Sequence, residues 1–216
     1  MKPPAARGAS AEGHVDRLLS AASVMERGRF AWHQLHPPIR GGVRAKSGLP
    51  DRAAYHNGQA FMFEVKEKNG TSIEVGLLTG ENTDCGGGIR PGQTTKMDLM
   101  TDAGVRCFVV AVLIVAAKAA KRRKDGTVSD PGYPGATIAR IIPWATWRAL
   151  MQAAEDQRQA LARWQIESGR LMVRNGHTCA LPPKPTVDAS ISAADLAEMG
   201  SPCRTAAELL AAIRGC

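Results

Sequence analysis

Residues 49–70 read LPDRAAYHNGQAFMFEVKEKNG, and this stretch decides the fold. Asn57-Gly58 is a strong signal for a two-residue type I′ turn, which needs positive φ at both positions. Two strands are therefore expected around it, paired so that residue numbers sum to a constant. His56 then faces Gln59, Tyr55 faces Ala60 and, further down the ladder, Asp51 faces Glu64. Directly opposed residues share a face, with Cβ atoms roughly 4.5–5.5 Å apart. The two-residue period sends Phe61, Phe63 and Val65 to a core face and Met62, Glu64 and Lys66 to the other. Asp51, Glu64 and Lys66 should converge.

Two opposed carboxylates repel unless something positive lies between them. Lys66 neutralises part of that charge, and a divalent ion would neutralise more. Two carboxylates with waters are a usual way of holding Mg²⁺. An amine beside them could orient a water or stabilise charge growing on a phosphate oxygen. Two acids, a metal and an amine make a centre for phosphodiester hydrolysis. The competing account has Glu64 and Lys66 as solvated residues on an edge strand, with Asp51 capping a turn.

On either side of the hairpin the chain alternates helix and strand. SAEGHVDRLLSAASVMERG reads as a helix capped by Ser10, with Val15, Leu18, Leu19, Ala22 and Met25 at helical spacing. Gly28 ends it and RFAWHQL follows as a short strand. HPPIRGGVRAKSG reads as a loop, and so does a second stretch from Lys68 to Gly92. GQTTKMDLMTDAG fits a helix closed by Gly104. CFVVAVLIVAA, residues 107–117, is a strand buried on both faces and too short to span a bilayer. KAAKRRKDGTVSDPGYPG is a basic arm, ATIARII a returning strand, and Pro143 opens a long helix over 144–168. ALPPKPTVDAS is a linker before two short helices, Ala193–Met199 and Arg204–Arg214. The division expected is a domain over 1–175, with its core motif at 49–116 and its arm at 118–135, followed by a C-terminal segment over 176–216.

The global numbers agree with a globular protein that meets a polyanion. The chain has 216 residues, 28 Lys+Arg against 20 Asp+Glu, and a formal net charge of +8. Five cysteines without a C-x-x-C pair argue against a disulfide framework and against zinc, His177 and Cys179 notwithstanding. MKPPAARGAS lacks the apolar stretch of a signal peptide, so a soluble cytoplasmic protein with reduced thiols is expected.

GLPDRAAYHNGQAFMFEVKE resembles the PD-(D/E)XK nuclease superfamily, with Pro50-Asp51 and Glu64-Val65-Lys66 standing at its motif. FAWHQLHPPIR, FEVKEKNGTSI and GQTTKMDLMTDAGVRCFVVAVL resemble the RecU-type Holliday junction resolvases over roughly residues 8–116. The resemblance implies an α/β fold: a restriction-endonuclease-like core with a central mixed sheet flanked by helices, here with a C-terminal helical extension. It implies metal ligation by Asp51, Glu64 and the Val65 carbonyl, with Lys66 at the scissile phosphate. Glu12 stands at the family's first-helix acid, with His14 and Asp16 on the same turn, and Gln93 at its helix-opening glutamine. The family's long stalk is reduced here to IRGGVRAKSGLP, and an insert follows the motif around Thr79–Gly92. GLPDR…FEVK…GQ also resembles the VRR-NUC nucleases.

The function implied is a Mg²⁺-dependent (or Mn²⁺-dependent) endonuclease in recombination and repair, acting as a homodimer on four-way junctions. The alternatives are a VRR-NUC-like nuclease of other DNA structures and a non-catalytic nucleic-acid-binding protein. Arg40, Arg44 and Lys46 before the motif, Lys96 on the later helix, and Lys118, Lys121, Arg122, Arg123 and Lys124 on the arm are the candidate phosphate contacts. Trp144, Trp147 and Trp164 sit at helical spacing and are expected to be packing anchors.

Overall fold

A computed structural model describes residues 5–35, 50–75, 89, 91–130, 132, 135–175, 183–186 and 190–215. Helix α1 (Ala5–Met25) and strand β1 (Phe30–Gln34) lead into the hairpin of β2 (Arg52–His56) and β3 (Gln59–Asn69). The turn forms as the sequence demands, with φ of 49° at Asn57 and 78° at Gly58. The register runs from His56↔Gln59 to Arg52↔Phe63. Asp51 and Glu64 continue that numbering one pair past the last rung.

Helix α1 starts five residues before Ser10, so Ser10 lies inside it and is no cap. The alanine-rich opening favours helix strongly enough to extend it. Ala11, Val15, Leu18, Leu19 and Ala22 are buried as the spacing requires, whereas Met25 at the helix end is exposed.

The stretch read as a loop after Lys68 is partly strand. β3 continues to Asn69, and β4 (Ser72–Glu74) follows a bend at Gly70. Then come α2 (Pro91–Asp102), β5 (Arg106–Val115), β6 (Lys121–Arg122), β7 (Val128–Asp130), β8 (Ala136–Pro143), α3 (Trp144–Asn175), β9 (Ser190–Ser192), α4 (Ala193–Glu198), β10 (Ser201–Pro202) and α5 (Ala206–Gly215). Helix α3 runs seven residues beyond the expected Ser168, through Gly169.

Six strands form one sheet in the order β1-β2-β3-β5-β8-β10. The β3–β5 pair is parallel, with Glu64 beside Val109 and Lys66 beside Ala111, and the other pairs are antiparallel. The architecture is α/β with a mixed central sheet flanked by helices. Phe61, Phe63, Val110 and Ile141 pack beneath α1 and α5 on one face. On the other, Val109, Ala111, Leu113 and Ile142 meet Met97 of α2 and Trp144, Trp147 and Met151 of α3. Trp164 is only half-buried. Burying apolar side chains on both faces explains why residues 107–113 read as an unbroken apolar run.

The C-terminal segment is woven into this architecture. β9 pairs with β4, β10 adds an edge strand beside β8, and Leu209, Leu210 and Ile213 of α5 pack in the first core. Arg106 donates to the Ile213 carbonyl at 3.0 Å, closing the end of α5. Ile89 is fully buried in the second core, so the insert after the motif contributes packing at that residue. Cys107 and Cys203 are buried free thiols, while Cys85, Cys179, Cys216 and His177 lie outside the described residues. Among the described residues no helix is long and apolar enough to cross a membrane.

Candidate active site on strand β3

Strand β3 lies inside the sheet, so Glu64 is not the solvated edge residue of the competing account. Its side chain is on the α2/α3 face, and the residue is only 1% exposed. Oε1 receives Lys66 Nζ at 2.6 Å and Gln93 Nε2 at 2.6 Å. Oε2 is buried with no hydrogen-bond partner among the described residues. Burial pushes the Glu64 carboxyl up to about 7; Lys66 pulls it down and the nearby Asp51 charge pushes it further up. An orphaned carboxylate oxygen at such depth is costly and marks a site with an unmet demand for positive charge.

Asp51 is held from both sides. Its Oδ2 accepts the Val65 N–H at 2.7 Å, and its carbonyl accepts from Leu35 N–H at 3.1 Å and Arg52 Nη1 at 3.0 Å. The structure thus brings together Asp51, Glu64, Val65, Lys66 and Gln93, the last delivered by the first turn of α2.

Glu12 is placed elsewhere. Its Oε2 lies 3.3 Å from Arg52 Nη2, while Asp16 takes Arg52 Nε at 2.5 Å and Nη2 at 3.2 Å. Arg52 alternates onto the α1 face with Phe63 and is 1% exposed. Burial works against its charge, yet Asp16 and Glu12 overcome this and hold the guanidinium above its ordinary range. The acid of α1 therefore reaches the site through Arg52 and the Asp51 backbone. His14, on the same turn, contacts the Cys203 carbonyl through Nε2 at 3.1 Å. The sequence reading passed over Arg52. The signal was a charged residue opposite Phe63, at a core-face position, with acids four residues apart on the helix that covers that face.

Among the described residues no three His, Cys, Asp or Glu side chains gather to hold a metal. Two carboxylates, one with an orphaned oxygen, still suit a hard cation that keeps several waters, and Asp51, Glu64 and the Val65 carbonyl could hold it. Lys96 is exposed on α2, three residues beyond Gln93. Lys118, Lys121, Arg123 and Lys124 are exposed on or beside the β6–β7 ribbon, and Arg122 lies in β6. The ribbon follows β5, so it leaves the sheet at the end toward which Lys66 lies. Arg40, Arg44 and Lys46 lie outside the described residues.

No protein-family model matches the chain, and no curated protein matches it. Among solved structures it is similar to Hjc, a Holliday junction resolvase from the archaeal hyperthermophile Archaeoglobus fulgidus. The identity is 14% and the TM-score 0.27, over 55% of this chain and 94% of that one. A likeness of that size says nothing about what this chain does.

Proposed function

We propose that the chain is a metal-dependent, structure-selective DNA endonuclease with a restriction-endonuclease-like core. The observation that carries this reading is the buried Glu64. One of its oxygens is bound by Lys66 and Gln93, the other is orphaned, and Asp51 stands beside it on a sheet-anchored loop end. Asp51, Glu64 and the Val65 carbonyl would hold Mg²⁺, with Mn²⁺ as a substitute. When bound, the ion would lower the pKa of a water and neutralise charge on the phosphoryl oxygens.

The chain's own groups do the rest. Gln93 fixes the rotamer of Glu64 from α2. Lys66 places a cation where a phosphate oxygen gains charge, which is worth most in a water-poor site. Arg52 holds the backbone at Asp51, and Asp16 and Glu12 hold Arg52, so Glu12 acts as a positioning residue. Lys96, Lys118, Lys121, Arg122, Arg123 and Lys124 supply phosphate contacts that carry affinity without reading sequence. Within this class a four-way junction is the proposed substrate, and two symmetric cuts would need a two-fold dimer.

The test is incubation with Mg²⁺ or Mn²⁺ and a panel of junction, flap, duplex and single-stranded DNA, with Asp51→Asn alongside. Cleavage that needs the metal and vanishes in Asp51→Asn supports the reading. Binding without cleavage under every metal would leave a non-catalytic nucleic-acid-binding protein. Equal cutting of every structure would remove the junction.

A further inference from the structure

Near the free edge of the sheet, His33 of β1 and Tyr55 of β2 stack, with ring centroids 5.8 Å apart and planes inclined by 18°. We propose that this pair is a stacking platform for an unpaired nucleobase of the DNA strand held at the Asp51–Glu64 site. The inference rests on the reading that the site acts on DNA, and it adds a requirement to the junction proposed above: bases close to the cut must be unpaired when they are bound.

Three observations support it. The first is direction. Opposed residues share a face, and Ala53 pairs with both His33 and Met62, while Tyr55 pairs with Ala31 and Ala60. His33 and Tyr55 therefore stand on the face that carries Glu64 and Lys66, opposite the α1 face that holds Phe30, Ala54 and Phe61.

The second is openness. Tyr55 is 45% exposed and His33 is exposed as well. Their directly opposed partners on this face are the alanines 31, 53 and 60, which are too short to screen a ring. A cross-strand aromatic pair that only stabilised the hairpin would gain by being covered. This one presents its rings to solvent.

The third is charge and spacing. The sequences of β1 and β2, FAWHQ and RAAYH, contain no acid, so these two strands themselves put no negative charge in the way of an anionic strand before Asp51. Tyr55 lies four residues from Asp51, about 13 Å along an extended strand. That is a reach of about four stacked base steps. Every base has a π-face, so a platform of this kind accepts any sequence and discriminates only against bases locked in a duplex.

The experiment uses the whole protein in EDTA, so binding is read without cleavage. The probes are a short oligothymidylate carrying one 2-aminopurine, and the same strand annealed into duplex. Wild type should quench the 2-aminopurine of the single strand. Tyr55→Leu should lose the quenching and weaken single-strand binding by about 5- to 150-fold, the equivalent of one base–aromatic stack. Its duplex affinity and melting temperature should stay near wild type, and Tyr55→Trp should keep the quenching. Tyr55→Leu that binds and quenches like wild type overturns the platform. Equal loss on single strand and duplex, with a lower melting temperature, also overturns it by showing a role in folding alone. If wild type binds neither probe at any salt, the DNA-directed reading falls together with the platform.

Discussion

At the turn end of the β2–β3 hairpin, Glu26 is buried with both oxygens bound; at the open end, Glu64 is buried with one oxygen bound and one bare. Glu26 Oε2 meets His56 Nε2 at 3.1 Å and Arg29 at 3.6 Å, and Oε1 takes Arg214 from α5. The His56 hydrogen bond, foremost, holds its carboxyl below the ordinary range, with Arg214 and Arg29 adding to it against the cost of burial. Glu64 is pushed the other way, to about 7, because burial outweighs Lys66. The same side chain is thus a latch at one end and an incomplete site at the other. What separates them is whether the protein supplies the second cation or leaves it to be bound.

The largest expected effect breaks the incomplete end. Glu64→Gln should lower metal-dependent cleavage by more than the roughly 100-fold that loss of an outer-shell partner costs. It should also raise the melting temperature in EDTA above neutral pH, because it removes a buried charge whose desolvation Lys66 offsets only in part. The sign follows from the raised pKa. Between 4.5, the ordinary value, and about 7 the folded state binds the proton more tightly, so wild-type stability falls as pH rises through that window. The gain from Glu64→Gln should therefore shrink as pH is lowered toward 4.5, which melts at a series of pH values would show.

Arg52 tests whether a third buried charge behaves as latch or as site. Arg52→Ala leaves Asp16 and Glu12 unpaired and should lower stability, by less than the roughly 3–5 kcal/mol of a fully buried pair because both carboxylates are partly exposed. Arg52→Lys keeps the charge but loses the planar fork, so it should recover much of the stability. Its weakened grip on the Asp51 carbonyl should still slow cleavage and weaken Mg²⁺ binding by calorimetry. Equal recovery of stability and of metal affinity would make Arg52 a latch only.

Farther from the hairpin, reversing Lys121, Arg123 and Lys124 to Glu should weaken binding to every DNA. It should flatten the slope of log K against log salt by about 0.9 for each phosphate that is no longer neutralised. An unchanged slope would take the ribbon out of the interface. The smallest effect on cleavage is expected from Glu26→Gln, which should stay within about twofold of wild type. It should lower the melting temperature, and most of that loss should disappear in acid. Glu26 contributes stability above its ordinary pKa and loses it as pH falls through its lowered folded value.

Much of the candidate site was legible because its determinants are local. Asn57-Gly58 sets the register, and the register alone brings Asp51, Glu64 and Lys66 together. Gln93 was reached through the resemblance, and it does arrive at Glu64. Glu12 was placed among the catalytic candidates through the resemblance, and its side chain meets Arg52, a partner on another element that no sequence window contains. β4 and β9 went unseen because three residues carry too little period to register. β10 is shorter still, and its Pro202 is tolerated because the strand lies at the sheet edge. The packing of α5 on α1 joins residues that are far apart in sequence, so no window contained it.

That packing also sets an order in time. Residues 51–93 carry the candidate site, whereas Leu209, Leu210 and Ile213 complete the core under which the β2–β3 hairpin lies. At about 5–20 residues per second, translation completes α5 roughly 6–24 s after it passes Gln93. Throughout that interval the nascent chain carries the carboxylates and the lysine without the helix that closes over their strand. The strand that bears Glu64 and Lys66 thus waits for part of its core until α5 has been made.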